Sequence, residues 1–179
     1  SEVEDIIRRI KELDDRNERK VRELVKTNEK LLRDLHEKSK RIVKEMRELL
    51  KEIEDLARRG KSDDRRLEEV RERLKRLLDD YERTVERLKE TNERLNRELE
   101  KHLEDSKKRL EDLREEVRRR GKDEEELKRV IDESKKRNEK LMRDYEEISK
   151  KVHEDVERDA ERLRRIAKEV EEELERVRK

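Results

Sequence analysis

The sequence has no cysteine and no proline, only two glycines, and aromatic residues at 1% of 179 positions. Without cysteine there is no disulfide frame, no thiol chemistry and nothing to indicate a redox compartment. Without proline, Gly60 and Gly121 are the only residues that interrupt helix-forming sequence, and they cut the chain into three near-equal segments. No apolar run approaches the roughly 20 residues needed to cross a bilayer, and no N-terminal stretch has a signal peptide's apolar centre. The expectation is a soluble chain without a targeting signal, as for recombinant cytoplasmic expression. Neither sign of charge dominates: 56 basic and 55 acidic residues are finely interspersed, for a net charge of +1. Basic clusters such as Arg162, Arg164 and Arg165 have acids within a turn and lack stacking aromatics, which argues against a nucleic-acid partner.

What is present is charge and pattern. Charged residues make up 62% and apolar residues 27%, fractions that by themselves border on the disordered class. Periodicity decides otherwise. Val3, Ile6, Ile10, Leu13, Asn17, Val21, Leu24, Asn28, Leu32, Leu35, Ser39, Ile42, Met46, Leu49, Ile53 and Leu56 follow one another by steps of three or four, which holds one face of a helix. Flanking Ile7, Val25, Leu31, Val43, Leu50 and Ala57 widen that face beyond a coiled-coil seam, as for a helix touching two neighbours. A second stripe runs from Leu67 through Leu74, Tyr81, Leu88, Leu99, His102 and Leu110 to Val117. A third runs from Leu127 through Val130, Ser134, Leu141, Ile148, Val156 and Leu163 to Val177. The predicted fold is all-α: one antiparallel, up-down-up, coiled-coil-like three-helix bundle over residues 1–179, with helices at about 2–59, 62–120 and 123–178. At 1.5 Å rise, each would span roughly 87 Å.

The segment ends carry matching signals. Ser1 with Glu4 reads as a capping box, and Ser62 and Asp123, each followed by acids, read as N-caps at the positive end of a helix dipole. Arginines precede both Gly60 and Gly121, where a left-handed glycine would close the helix C-terminus. Connections this short force consecutive helices to reverse.

Polar residues on the apolar stripes are the informative exceptions. A module Asn-Glu-(Lys/Arg)-x-x-Arg-(Asp/Glu)-(Leu/Tyr) begins at Asn17, Asn28, Asn92 and Asn138, and places asparagine on the core face each time. Equal rise per residue about the two turns makes facing residues sum to about 121 between the first and second helices and about 242 between the second and third. On that count Asn17, His102 and Asn138 share a level with Ser106 and Ser134 nearby. Asn28, Asn92 and Ser149 share another, bordered by Thr27, Thr91 and Asn96. His36, Ser39, Tyr81, Thr84 and His153 gather at a third, and Tyr145 is assigned to the same buried polar set. An unpaired buried amide costs roughly 1–3 kcal/mol, so these residues should bond across helices and penalise other registers.

These features resemble de novo designed helical bundles with built-in buried hydrogen-bond networks. The residues that carry the resemblance are the loops Arg59-Gly60-Lys61-Ser62 and Arg120-Gly121-Lys122-Asp123, the Asn28-Glu29-Lys30-Leu31 type of module, and the Leu/Ile/Val core. Gln, Phe and Trp are absent and alanines number three, unlike natural spectrin-like or tropomyosin-like coiled coils. The resemblance implies a thermostable scaffold or assembly module without catalysis or cofactor. The histidines raise two other readings. His36 with His153 and a nearby carboxylate could hold zinc, whereas His102 lies several turns away and cannot share that ion; a network or surface histidine is the preferred reading, and no metal site is assigned. Buried neutral histidines would resist protonation and make stability drop in acid. The first segment's wide apolar face leaves a monomer, needing no partner, and self-association or a fourth partner helix as alternative assemblies.

Overall fold

A computed structural model describes residues 2–60, 63–120 and 124–178, and all but the ends of these segments is helix: α1 Glu2–Arg58, α2 Asp64–Arg120 and α3 Glu124–Arg178. Helix-forming composition without an internal proline or glycine accounts for this continuity. α1 closes at Gly60, whose φ of 63° lies in the left-handed region; its amide donates to the Ala57 carbonyl (3.2 Å), and the Arg59 amide to Asp55 (3.1 Å). α2 opens two residues later than expected because Asp63 is its cap. The Asp63 carboxylate accepts from the Arg66 amide (3.3 Å) and its carbonyl from the Leu67 amide (3.1 Å). The caps assigned to Ser1, Ser62, Gly121 and Asp123 lie outside the described residues.

The chain divides into two compact units, residues 1–28 with 91–151, and residues 29–90 with 152–179, so each helix contributes to both. In the first unit one apolar cluster joins Ile6, Ile10 and Leu13 of α1 to Leu110, Leu113 and Val117 of α2 and to Leu127 and Ile131 of α3. Another joins Val21 and Leu24 to Leu99, Leu103 and Tyr145. In the second unit the buried apolar residues include Leu35, Ile42, Met46 and Ile53 of α1, Leu67, Val70 and Leu77 of α2, and Val156, Leu163 and Val170 of α3. Each such large side chain is worth about 1.5–3 kcal/mol when fully buried. No large hydrophobic side chain is exposed among the described residues.

The stripe is shifted by one residue in places. Ile131 is fully buried where Val130 was expected, and Leu103 is buried beside a half-buried His102. Steps of four-then-three and three-then-four both keep one helix face, so local spacing admits either neighbour. The larger apolar group takes the interior. Leu32, Val85, Leu95 and Ile148 are likewise only half-buried.

Candidate functional site in the buried polar layers

All four module asparagines are buried, with exposures of 8% or less, and so is the residue seven positions after each: Leu24, Leu35, Leu99 and Tyr145. Seven residues are close to two full turns, so one helix face holds both ends of the module.

In the first unit, Asn17 Nδ2 donates to Ser106 Oγ (2.9 Å) and to Asn138 Oδ1 (3.2 Å), and Ser106 returns a bond to Asn17 Oδ1 (3.2 Å). Three helices meet on one amide. A turn below, Ser134 Oγ donates to Asp14 Oδ1 (2.6 Å), while Arg137 grips Asp14 Oδ2 through Nε (3.0 Å) and Nη2 (2.6 Å). Arg137 is a planar, permanently charged donor on a buried carboxylate, so the charge is compensated where it sits.

Further along the same unit, Asn96 Nδ2 donates to Ser149 Oγ (3.4 Å), Ser149 Oγ to Asn92 Oδ1 (3.3 Å), and Asn92 Nδ2 to Asn28 Oδ1 (3.0 Å). Donors point one way along this chain, which ends on Asn28. The Asn28 Nδ2 group is buried without a partner.

The second unit holds a different arrangement. Tyr81 Oη donates to Asp159 Oδ2 at 2.6 Å, and His36 Nδ1 lies 3.2 Å from Asp159 Oδ1. Burial, and then the hydrogen bond to the Asp159 carboxylate, push the Tyr81 phenol well above the usual tyrosine range. A carboxylate is held here by a phenol and an imidazole.

Cross-helix bonds from α1 to α3 join residues 120 to 123 positions apart. That offset is the difference between the two index sums, 242 minus 121, read from the turns. The register is the one that equal rise per residue requires.

A solved structure of a computationally designed three-helix bundle is similar to this chain over 98% of its length and 88% of the designed chain, with a TM-score of 0.60 and 19% sequence identity. This chain folds as a three-helix bundle. No family model matches the sequence, and no curated protein does. At 19% identity the likeness is one of fold.

The bundle does not bury every polar residue assigned to its layers. His153 is exposed, and the His36 side chain is 46% exposed although its Nδ1 reaches Asp159; each is one position off the seam, at the water boundary. His102 is half-buried and bonds Arg16 (2.9 Å) at the surface instead of Asn17. The expectation that all three histidines are buried therefore does not hold. Thr84 Oγ1 bonds its own helix at Asp80 O (3.0 Å), and Thr27 at Glu23 O (2.8 Å), the usual way a threonine satisfies itself inside a helix. Thr91 is half-buried, and Ser39 is buried at 4%. Tyr145 is fully buried among apolar neighbours, its hydroxyl without a partner.

Two buried polar residues were not anticipated, Asp14 and Asp159, each 9% exposed. For Asp159 a signal existed. The third stripe steps seven residues from Val156 to Leu163, and position 159 is where a three-then-four cadence would place a core residue. Asp14 adjoins Leu13 and follows Ile10 by four. In a chain with 62% charged residues, aspartate at such a position looks like any other surface acid. Among the described residues no group of three His, Cys, Asp or Glu side chains is placed to hold a metal ion, and no helix is long and apolar enough to cross a membrane.

Proposed function

We propose that this chain is a designed structural scaffold without a natural biochemical activity, a single three-helix domain whose buried polar layers fix helix register and pairing. The observation that carries the reading is the directional chain from Asn96 through Ser149 and Asn92 to Asn28, which crosses all three helices. Any slip of one helix by a turn would strand these buried amides against apolar side chains, at about 1–3 kcal/mol each. Buried asparagines set register in coiled coils in this way. The absence of a matching natural family and the likeness to a designed bundle support the same reading. The absence of exposed large hydrophobics among the described residues supports a monomer that needs no partner. High thermal stability is expected of such a scaffold.

The test is to replace Asn17, Asn28, Asn92 and Asn138 together by Leu. The variant should keep its helix content and lose uniqueness, seen as extra amide resonances or as masses above one chain of 22.3 kDa in light scattering. A monomer with a single sharp set of resonances would sink the register role.

A further inference from the structure

Every charged residue that lines the surface grooves between α1 and α2 has a counter-charge within a turn of sequence, yet the fold does not distribute those counter-charges evenly. In the second unit a groove of about 540 Å³ has the buried side chains of Ile42 and Leu77 as its floor. Its walls carry five cationic side chains and only two carboxylates, Glu45 and Asp80. Both carboxylates are already engaged: Asp80 accepts from Lys38 (2.8 Å) and Glu45 from Arg73 (2.6 Å). That leaves the guanidiniums of Arg41, Arg76 and Arg83.

None of the three makes an ion pair with a carboxylate of the groove. Arg76 touches only Glu72 on its own helix, at 3.8 Å between side chains 69% and 63% exposed, a contact of little worth. Arg83 Nε makes a long bond to Asp79 O (3.4 Å) on its own helix, which leaves its two terminal nitrogens free. The groove's positive charge is felt by its own carboxylate: Asp80 is held below the usual carboxylate range, first by the Lys38 hydrogen bond and then also by the charges of Lys38 and Arg83 and of Arg87 outside the groove. The adjoining groove shares Glu45, Arg73 and Arg76 with this one and adds Glu48, Glu52 and Glu69, of which Glu52 and Glu69 are engaged by Arg66. Arg76 and Arg83 are seven residues apart, about 10 Å along the axis, with Arg41 facing them from α1.

We infer that this groove is a binding site for a short polyphosphate chain, held by Arg41, Arg76 and Arg83 over the Ile42 and Leu77 floor. A planar guanidinium matches phosphate oxygens with two parallel hydrogen bonds. A single phosphate cannot reach guanidiniums spread along two helical turns, whereas a chain of them can. A net charge of +1 gives the molecule as a whole no attraction for polyanions, so binding must come from this local imbalance.

The probe is inorganic tripolyphosphate, titrated calorimetrically into the full chain. One saturable site is expected, with orthophosphate binding at least about tenfold more weakly. Arg41→Glu with Arg83→Glu should abolish saturation, and Arg41→Gln with Arg83→Gln should weaken it by about tenfold or more, circular dichroism confirming that helix content is kept. Arg164→Glu with Arg165→Glu makes the same change in net charge elsewhere and should leave the affinity unchanged. Absence of a saturable heat, equal affinity for orthophosphate, or equal weakening by the Arg164 and Arg165 pair would each overturn the site.

Discussion

The two compact units bury one aspartate each and satisfy it by opposite means. Asp14 in the first unit receives a guanidinium and a serine hydroxyl, so one carboxylate oxygen is matched by a full positive charge. Asp159 in the second unit receives the Tyr81 phenol and faces the His36 imidazole. The Arg137 side chain is 46% exposed and would remain solvated if Asp14 were removed, whereas Tyr81 is 3% exposed and would be stranded without Asp159. The cost of losing a buried acid is thus set less by the acid than by what it leaves behind.

That comparison is broken most directly by truncation. Asp159→Ala should destabilise by about 2–3 kcal/mol, and Asp14→Ala by about 1–2 kcal/mol, in guanidinium denaturation curves with equal slopes. If Asp14→Ala proved the costlier, the stranded-donor argument would be wrong. Alkaline titration sharpens the contrast next. The Tyr81 pKa is raised on folding, so its contribution is complete below the ordinary tyrosine value of 10.0 and is lost as pH rises toward the folded value. Stability at pH 11 should fall below that at pH 9 by on the order of 1 kcal/mol more in the parent chain than in Tyr81→Phe, measured in parallel.

The two tyrosines form an internal control. Tyr81→Phe removes a bonded hydroxyl and leaves Asp159 short of a donor, a loss of about 1–1.5 kcal/mol, while Tyr145→Phe removes an unpartnered one and should raise stability by about 0.5–1 kcal/mol. Melting temperatures moving in the same direction for both would contradict the assigned hydrogen bonds. The smallest effect belongs to Asp80. Its carboxyl is held below the usual range by Lys38, so its contribution is present above the ordinary value of 3.8 and lost as pH falls below it. The Asp80 side chain is 49% exposed, so Asp80→Asn should cost no more than a few tenths of a kcal/mol at pH 7 and flatten the acid limb only slightly.

The layers differ in how legible they were. Asn17, Asn28, Asn92 and Asn138 stood out because an amide on an apolar stripe contrasts with its neighbours. Ser106, Ser134 and Ser149 followed from matching heights across the turns. Asp14 and Asp159 did not stand out, since aspartate is common on every face of this chain and only burial distinguishes two of them. The histidines were read as interior; His36 and His153 lie one residue off the stripe, an offset that rotates a side chain by about 100° to the water boundary, from which His36 still reaches Asp159, while His102 on the stripe is only half-buried.

The sequence by itself determined three helices, where the first of them stops, and the register between them, because helix rise is constant and Gly60 admits a left-handed turn that other residues resist. Tertiary structure alone decided which of two adjacent residues turned inward, as at Val130 and Ile131, and which acid met which donor. Those choices depend on side-chain volume and cross-helix distance, and neither is written in the spacing of one strand of sequence.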